Sequence, residues 1–178
     1  VSNYLAVNFG GSLTQYALYR TIKKMGYSVG MIGRPLSSWG KADHANLSKM
    51  YLECPYDEID LLPRMNTRED MEALNNVCRQ FVVGSDQLFQ YTLYRDLDKF
   101  VSLSWAKDRK KKIAYAASFG HGKIWGDVDE LAEMGYFLNK YDAFSVREKD
   151  AVALCKRHFD VDAEWVLDPV FLCDKEVY

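Results

Sequence analysis

Four short apolar runs, at residues 81–83, 113–116, 143–146 and 163–167, each break off into a polar turn, with helical spacing beyond. Strands of a parallel sheet are covered on both faces by crossover helices, so they read as unbroken apolar runs. Strands alternating with helices predict an α/β fold: a parallel sheet with helices on both faces. Ligands of such sheets sit outside the carboxyl ends of the strands. The turns after the runs open with Gly84-Ser85-Asp86-Gln87, Ser118-Phe119-Gly120-His121, Arg147-Glu148 and Asp168-Pro169. Their polar groups are expected along one edge.

The helices are signalled by caps. Ser12 and Gln15 fit a capping box ahead of Leu18, Ile22 and Met25, with Lys23, Lys24 and Gly26 at the far end. Thr67 with Asp70 and Asp127 with Glu130 open two more, and residues 149–158 form another with Ala151, Leu154 and Cys155 inside. Residues 27–32 read as a strand, and 4–7 have strand composition. Residues 33–66 read as a long connection with a short helix near 45–52. Residues 88–112 mix aromatic and charged residues and read as a surface excursion, with Lys110, Lys111 and Lys112 a solvated strand start.

The 178 residues fit one domain, and a net charge of -2 gives no basic excess of the kind that nucleic acid selects. Cys54, Cys78, Cys155 and Cys173 are widely spread without a CxxC pair. Cys78 and Cys155, in helical patterns, read as reduced core thiols, so no zinc site or disulfide framework is expected. With no signal peptide and no run long enough to span a bilayer, a cytoplasmic protein is expected. Starting at Val1 and stopping just after a strand pattern, the chain reads as a fragment.

Each polar turn allows a chemical and a structural reading. Asn8, Gly10 and Gly11 lead into a helix whose free N–H groups suit an anion; the motif is neither GxGxxG nor a P-loop, and it also fits a plain capped turn. Ser85, Asp86 and Gln87 can bond hydroxyls, or Ser85 or Asp86 only caps the next segment. Ser118 and Gly120 precede His121, whose imidazole can exchange protons near neutrality; His44 and His158 lack such a placement. Arg147 can hold a carboxylate or phosphate with a two-pronged fork, or it pairs with Glu148 or an aspartate and only holds a turn. Asp168 can orient a hydroxyl or act as a base, or it is a turn aspartate before Pro169. Trp105 and Trp125 suit either stacking on a sugar or a place in the core and its rim.

Residues 8–18 (NFGGSLTQYAL), 81–87 (FVVGSDQ), 112–120 (KIAYAASFG), 144–148 (FSVRE) and 165–169 (WVLDP) together resemble the polysaccharide pyruvyl transferase family. They occur in the family's order and span most of the chain. The resemblance implies transfer of pyruvate from phosphoenolpyruvate onto two hydroxyls of a sugar, forming a cyclic ketal. It also implies an architecture like that of two-domain GT-B-type glycosyltransferases, with residues 1–178 as one Rossmann-like domain, the N-terminal half. A C-terminal half would supply donor contacts, so this chain alone is expected to be inactive.

Carried onto this sequence, His121 becomes the candidate acid/base, Arg147 the anion clamp and Asp86 the group orienting a hydroxyl. Asn8, Gly10, Gly11, Ser85, Gln87, Ser118 and Asp168 would line the substrate. Phosphoenolpyruvate is the donor, with no other cofactor and no metal required. The other partner is a sugar or lipid-linked saccharide of a cell-surface polysaccharide, which leaves room for peripheral association with the inner membrane face. Two rival readings are a GT-B-type glycosyltransferase using a nucleotide sugar and a non-catalytic sugar-binding domain.

Overall fold

A computed structural model describes residues 9–32, 58–63, 65, 67–96 and 99–178. The expected strand at 4–7, the helix at 45–52, Asn8, His44 and Cys54 lie outside these residues.

Helix α1 (Phe9–Lys24) starts earlier than the capping pattern indicates. Gly10 and Gly11 continue the helix instead of turning before it, so Ser12 and Gln15 lie inside it and are buried. Its end is as expected: Lys23 and Lys24 occupy the last turn, and Gly26 adopts φ +89°, a region open to glycine. Met25 is exposed rather than on the inner face. Residues 27–32 do not form a strand of the sheet; Met31 makes one isolated parallel bridge to Leu61.

Helix α2 (Arg68–Ala73) carries the expected capping box: Asp70 N–H donates to Thr67 Oγ1 (3.1 Å) and Thr67 N–H donates to Asp70 Oδ2 (3.0 Å). Strand β1 (Gln80–Asp86) follows, then α3 (Tyr91–Asp96), β2 (Lys111–Ala117), α4 (Val128–Leu138), β3 (Ala143–Val146), α5 (Lys149–Phe159) and β4 (Glu164–Trp165). Asp127 caps α4 by accepting from Asp129 and Glu130 N–H. The four strands are parallel and lie in the order β1-β2-β3-β4. Each crossover therefore steps to the adjacent strand. Among the described residues β1 lies at the end of this order. β4 is a two-residue exposed edge, shorter than the apolar run at 163–167, because it pairs only with β3.

Helices lie on both faces. Phe81, Val83, Ala114, Phe144 and Val146 join Met134 and Leu138 of α4 and Phe159 of α5 in one core. Gly84, of opposite parity to Phe81 and Val83, faces α1: a Cβ there would lie 2.3 Å from Leu18 Cδ2. Glycine at 84 thus lets α1 pack closely over β1.

Two sequence expectations fail between β1 and the first residues of β2. Residues 88–112 are not a surface excursion: Leu88, Phe89, Tyr94, Phe100, Val101, Leu103, Trp105 and Ala106 are buried. Trp105 packs edge-on against Phe81 (4.7 Å between centroids), and its Nε1–H donates to Phe100 O (3.0 Å). This assigns Trp105 to the core. Lys112 is also buried, its side chain 3% exposed, with Nζ 3.7 Å from Asp108 Oδ1. Its stem fills the core face while the ammonium reaches a surface carboxylate.

The β2–β3 register shifts between Ala114 and Ala117, and Ala116 takes φ 51°. Ser145 Oγ bridges the irregularity, accepting from Ala116 N–H (3.0 Å) and donating to Ala114 O (3.1 Å). The hydroxyl thus replaces ladder bonds lost where the strand bulges. Cys78, Cys155 and Cys173 are free, and burial pushes the Cys155 thiol up to about 12. Among the described residues no helix is long and apolar enough to cross a membrane.

Candidate active site

Three strands of one parallel sheet deliver Asp86, Ser118 and Arg147 to the same edge, and Asp168 follows β4 there. Asp168 is the hub. Its Oδ1 accepts from Thr14 Oγ1 (3.0 Å) and Val170 N–H (3.1 Å). Its Oδ2 accepts from Ser85 Oγ (3.0 Å) and Arg147 Nη1 (2.9 Å). One carboxylate thus ties α1, the end of β1, the end of β3 and the turn Pro169–Leu172 together.

Arg147 has three carboxylate neighbours. Besides Asp168, its Nε donates to Glu148 Oε1 (3.1 Å), and its Nη2 lies 3.8 Å from Asp86 Oδ1. The Asp86 contact is an ion pair beyond hydrogen-bond length. Nη1 also lies 3.5 Å from Ser85 Oγ. Burial pulls the Arg147 pKa down, but the Glu148 and Asp168 bonds outweigh it and hold the cation firmly. Arg147 therefore makes the intramolecular pairing that its spacing allowed.

Asp86 is buried, with φ 151°. Its Oδ1 accepts from Gln87 N–H (2.8 Å), and its carbonyl accepts from Leu88 N–H (2.7 Å) and Ser118 N–H (3.1 Å). The last bond couples the two neighbouring turns. Ser118 is fully buried, and its Oγ accepts from Gly120 N–H (3.0 Å), so its hydroxyl shapes the turn from within. Gly120 takes φ +79°, and a Cβ there would lie 2.9 Å from Gln87 Oε1. A Cβ on Gly122 would lie 2.8 Å from Asp150 Oδ2, at the start of α5. His121, between these glycines, is exposed and stands outside the Asp168 cluster. Gly10 is exposed and Gly11 half-buried in the first turn of α1, whose Thr14 reaches Asp168.

Thr14 and Glu148 join the cluster although neither was singled out as a binding residue. Thr14 lies one helical turn before Leu18, which packs on Gly84, so it comes over Ser85. That spacing is the signal that could have found it.

Asp168 gives the cluster a pH dependence. Burial raises its pKa, but Val170 N–H, Arg147, Thr14 and Ser85 together outweigh burial and hold it below the ordinary carboxylate value. A depressed folded pKa contributes stability above the unfolded value, about 3.9, and that stability is lost as pH falls through the folded value. Urea denaturation should show wild type more stable than Asp168→Asn at pH 7, with the gap closing below about pH 4. A gap that does not change with pH would remove ionised Asp168 as the hub.

Sequence comparison adds the decisive observation: the model of the polysaccharide pyruvyl transferase family matches residues 8–178. The chain belongs to the polysaccharide pyruvyl transferase family. The match takes in every strand of the sheet and every residue of the Asp168 cluster. No curated protein and no solved structure matches the chain. In this polysaccharide pyruvyl transferase chain, three carboxylates thus surround the one guanidinium of the cluster.

Proposed function

We propose that this protein transfers pyruvate from phosphoenolpyruvate to two hydroxyls of a saccharide, and that the Asp168 cluster handles the acceptor. The family match over residues 8–178 carries this reading. The surplus of carboxylates over cations at the carboxyl edge supports the acceptor assignment.

The chemistry requires a proton for the methylene carbon of the enol phosphate. Protonation leaves the adjacent carbon electrophilic. One acceptor hydroxyl attacks that carbon and loses its proton. The carbon–oxygen bond to phosphate breaks, and inorganic phosphate leaves with the bonding electrons. The second hydroxyl then attacks the oxocarbenium carbon so formed and loses its own proton, closing the ketal. In this reading His121 exchanges the protons and Asp86 orients the attacking hydroxyl. Asn8, Gly10, Gly11 and Gln87 line the substrate in this reading, and Ser118 holds the turn beside it. Arg147 meets the donor through Nη2, its side toward Asp86, where its longest ion pair leaves the most room for exchange. Further cations for phosphate and carboxylate come from a second α/β half in a GT-B-like arrangement. In this reading the protein works in the cytoplasm, at the membrane face when the saccharide is lipid-linked.

The test uses full-length protein with phosphoenolpyruvate and a panel of methyl pyranosides, measuring inorganic phosphate and product mass. Acceptor-dependent phosphate release with a ketal product is expected. Consumption of nucleotide sugars without phosphoenolpyruvate would instead establish a glycosyltransferase. Saccharide binding without turnover of either donor would establish a binding domain.

A further inference from the structure

We propose that Trp165 is the platform on which the acceptor's pyranose ring rests, a role that builds on the saccharide-modifying function above. Trp165 ends β4 at the carboxyl edge of the sheet, and its indole is 55% exposed. An exposed indole alone means little, since single surface apolar residues are common. This one is held in place. Its Nε1–H donates to Arg147 O (3.2 Å), so the ring is fixed to the residue whose guanidinium enters the Asp168 cluster. Lys149 Nζ lies 5.9 Å from the ring centroid, within cation–π range.

The neighbours select the kind of ligand. A rigid aromatic face offers contact area at little conformational cost. A pyranose presents C–H groups on a face and hydroxyls around its rim. Asp86, Glu148 and Asp168, gathered around the Arg147 side chain, are hydroxyl acceptors at the same sheet edge. A pyranose therefore finds a face in the indole and hydrogen-bond acceptors for its rim at the same sheet edge. Trp105 cannot serve, being buried against Phe81, and Trp125 sits by Tyr91 at 6.3 Å, in the loop before α4.

The test is an indole 15N–1H titration of full-length protein with methyl β-D-glucopyranoside, methyl β-D-galactopyranoside and methyl α-D-mannopyranoside. The Trp165 signal is assigned by its loss in Trp165→Phe. A saturable shift of that signal with at least one glycoside is expected. Trp165→Ala should weaken binding by roughly tenfold or more, and Trp165→Phe should recover part of it because it keeps a ring but not the N–H bond to Arg147. In turnover assays Trp165→Ala should raise the acceptor KM while leaving kcat and the phosphoenolpyruvate KM within about twofold.

A still Trp165 signal while a glycoside binds, or no binding by any of the three, would overturn the platform. Glycoside binding through Trp165 without phosphoenolpyruvate turnover keeps the platform and sinks pyruvyl transfer. Transfer with an acceptor KM unmoved in Trp165→Ala does the reverse.

Discussion

Arg147→Ala should destabilise the fold by about 3 kcal/mol and also cut transfer by roughly tenfold or more per folded molecule. The stability loss follows from what the guanidinium leaves behind. Asp86, Glu148 and Asp168 would face one another without their shared cation. Asp168 would keep Thr14, Ser85 and Val170 N–H, so the cluster is weakened rather than emptied. Arg147 is also partly open to solvent, which keeps the loss toward the lower end of the range for buried pairs. Neutralising the hub in Arg147→Ala/Asp168→Asn should return part of the stability, an interaction that a double-mutant cycle measures directly. Arg147→Lys should recover only part of either property, because an ammonium cannot reproduce the fork. Urea denaturation and turnover on one preparation of full-length protein separate the two roles. Unchanged stability would contradict the three-carboxylate pairing. Unchanged turnover per folded molecule would leave Arg147 a structural residue and remove it from donor binding.

Phe159→Ala should be the most damaging core truncation of α5, costing about 4 kcal/mol. Phe159 is buried at the end of the helix and stacks on Phe119, with centroids 5.8 Å apart and planes at 21°. Gly135 of α4 sits directly against it: a Cβ there would lie 3.2 Å from Phe159 Cδ1. Asn139 Nδ2 also donates to Phe159 O (2.7 Å). The ring therefore joins α5, α4 and the turn that carries Gly120 and His121. Its removal should raise amide exchange at Gly120 and His121 as well as lower the urea midpoint. Phe171→Ala provides the control: its side chain is 70% exposed, so a change within about 0.5 kcal/mol is expected. Equal losses in the two variants would mean that this core assignment is wrong.

Local chemistry accounts for the parts of the fold that were legible. Thr67 with Asp70 and Asp127 with Glu130 satisfy helix ends through neighbours in sequence, so they can be read without knowing the rest of the chain. The runs at 81–83, 113–116 and 143–146 became parallel strands because uninterrupted apolar character already implies cover on both faces. Residues 88–112 were not legible: their aromatics follow no single period, and short irregular turns bury them against Phe81 and α4. Lys112 shows the same limit, since a long stem can lie in a core while its charge reaches out.

The site divides in the same way. Placing Ser85, Asp86, Ser118, Arg147 and Asp168 at one edge required only that each follow a strand of a parallel sheet. Which of them touch was beyond the sequence. Arg147 could have been an anion clamp or a turn-holding cation from its spacing, and only three-dimensional distances show three carboxylates around it. Thr14 reaches Asp168 across 154 positions of the chain, and Ser118 points inward to hold Gly120 instead of lining a cleft. The strands at 81–83, 113–116 and 143–146, the caps at Thr67 and Asp127 and the edge on which polar groups gather were determined by the sequence, because periodicity and capping act over a few residues. The partners of each charge were decided by tertiary structure, because Coulombic and hydrogen-bond energies depend on distances that chain separation does not encode.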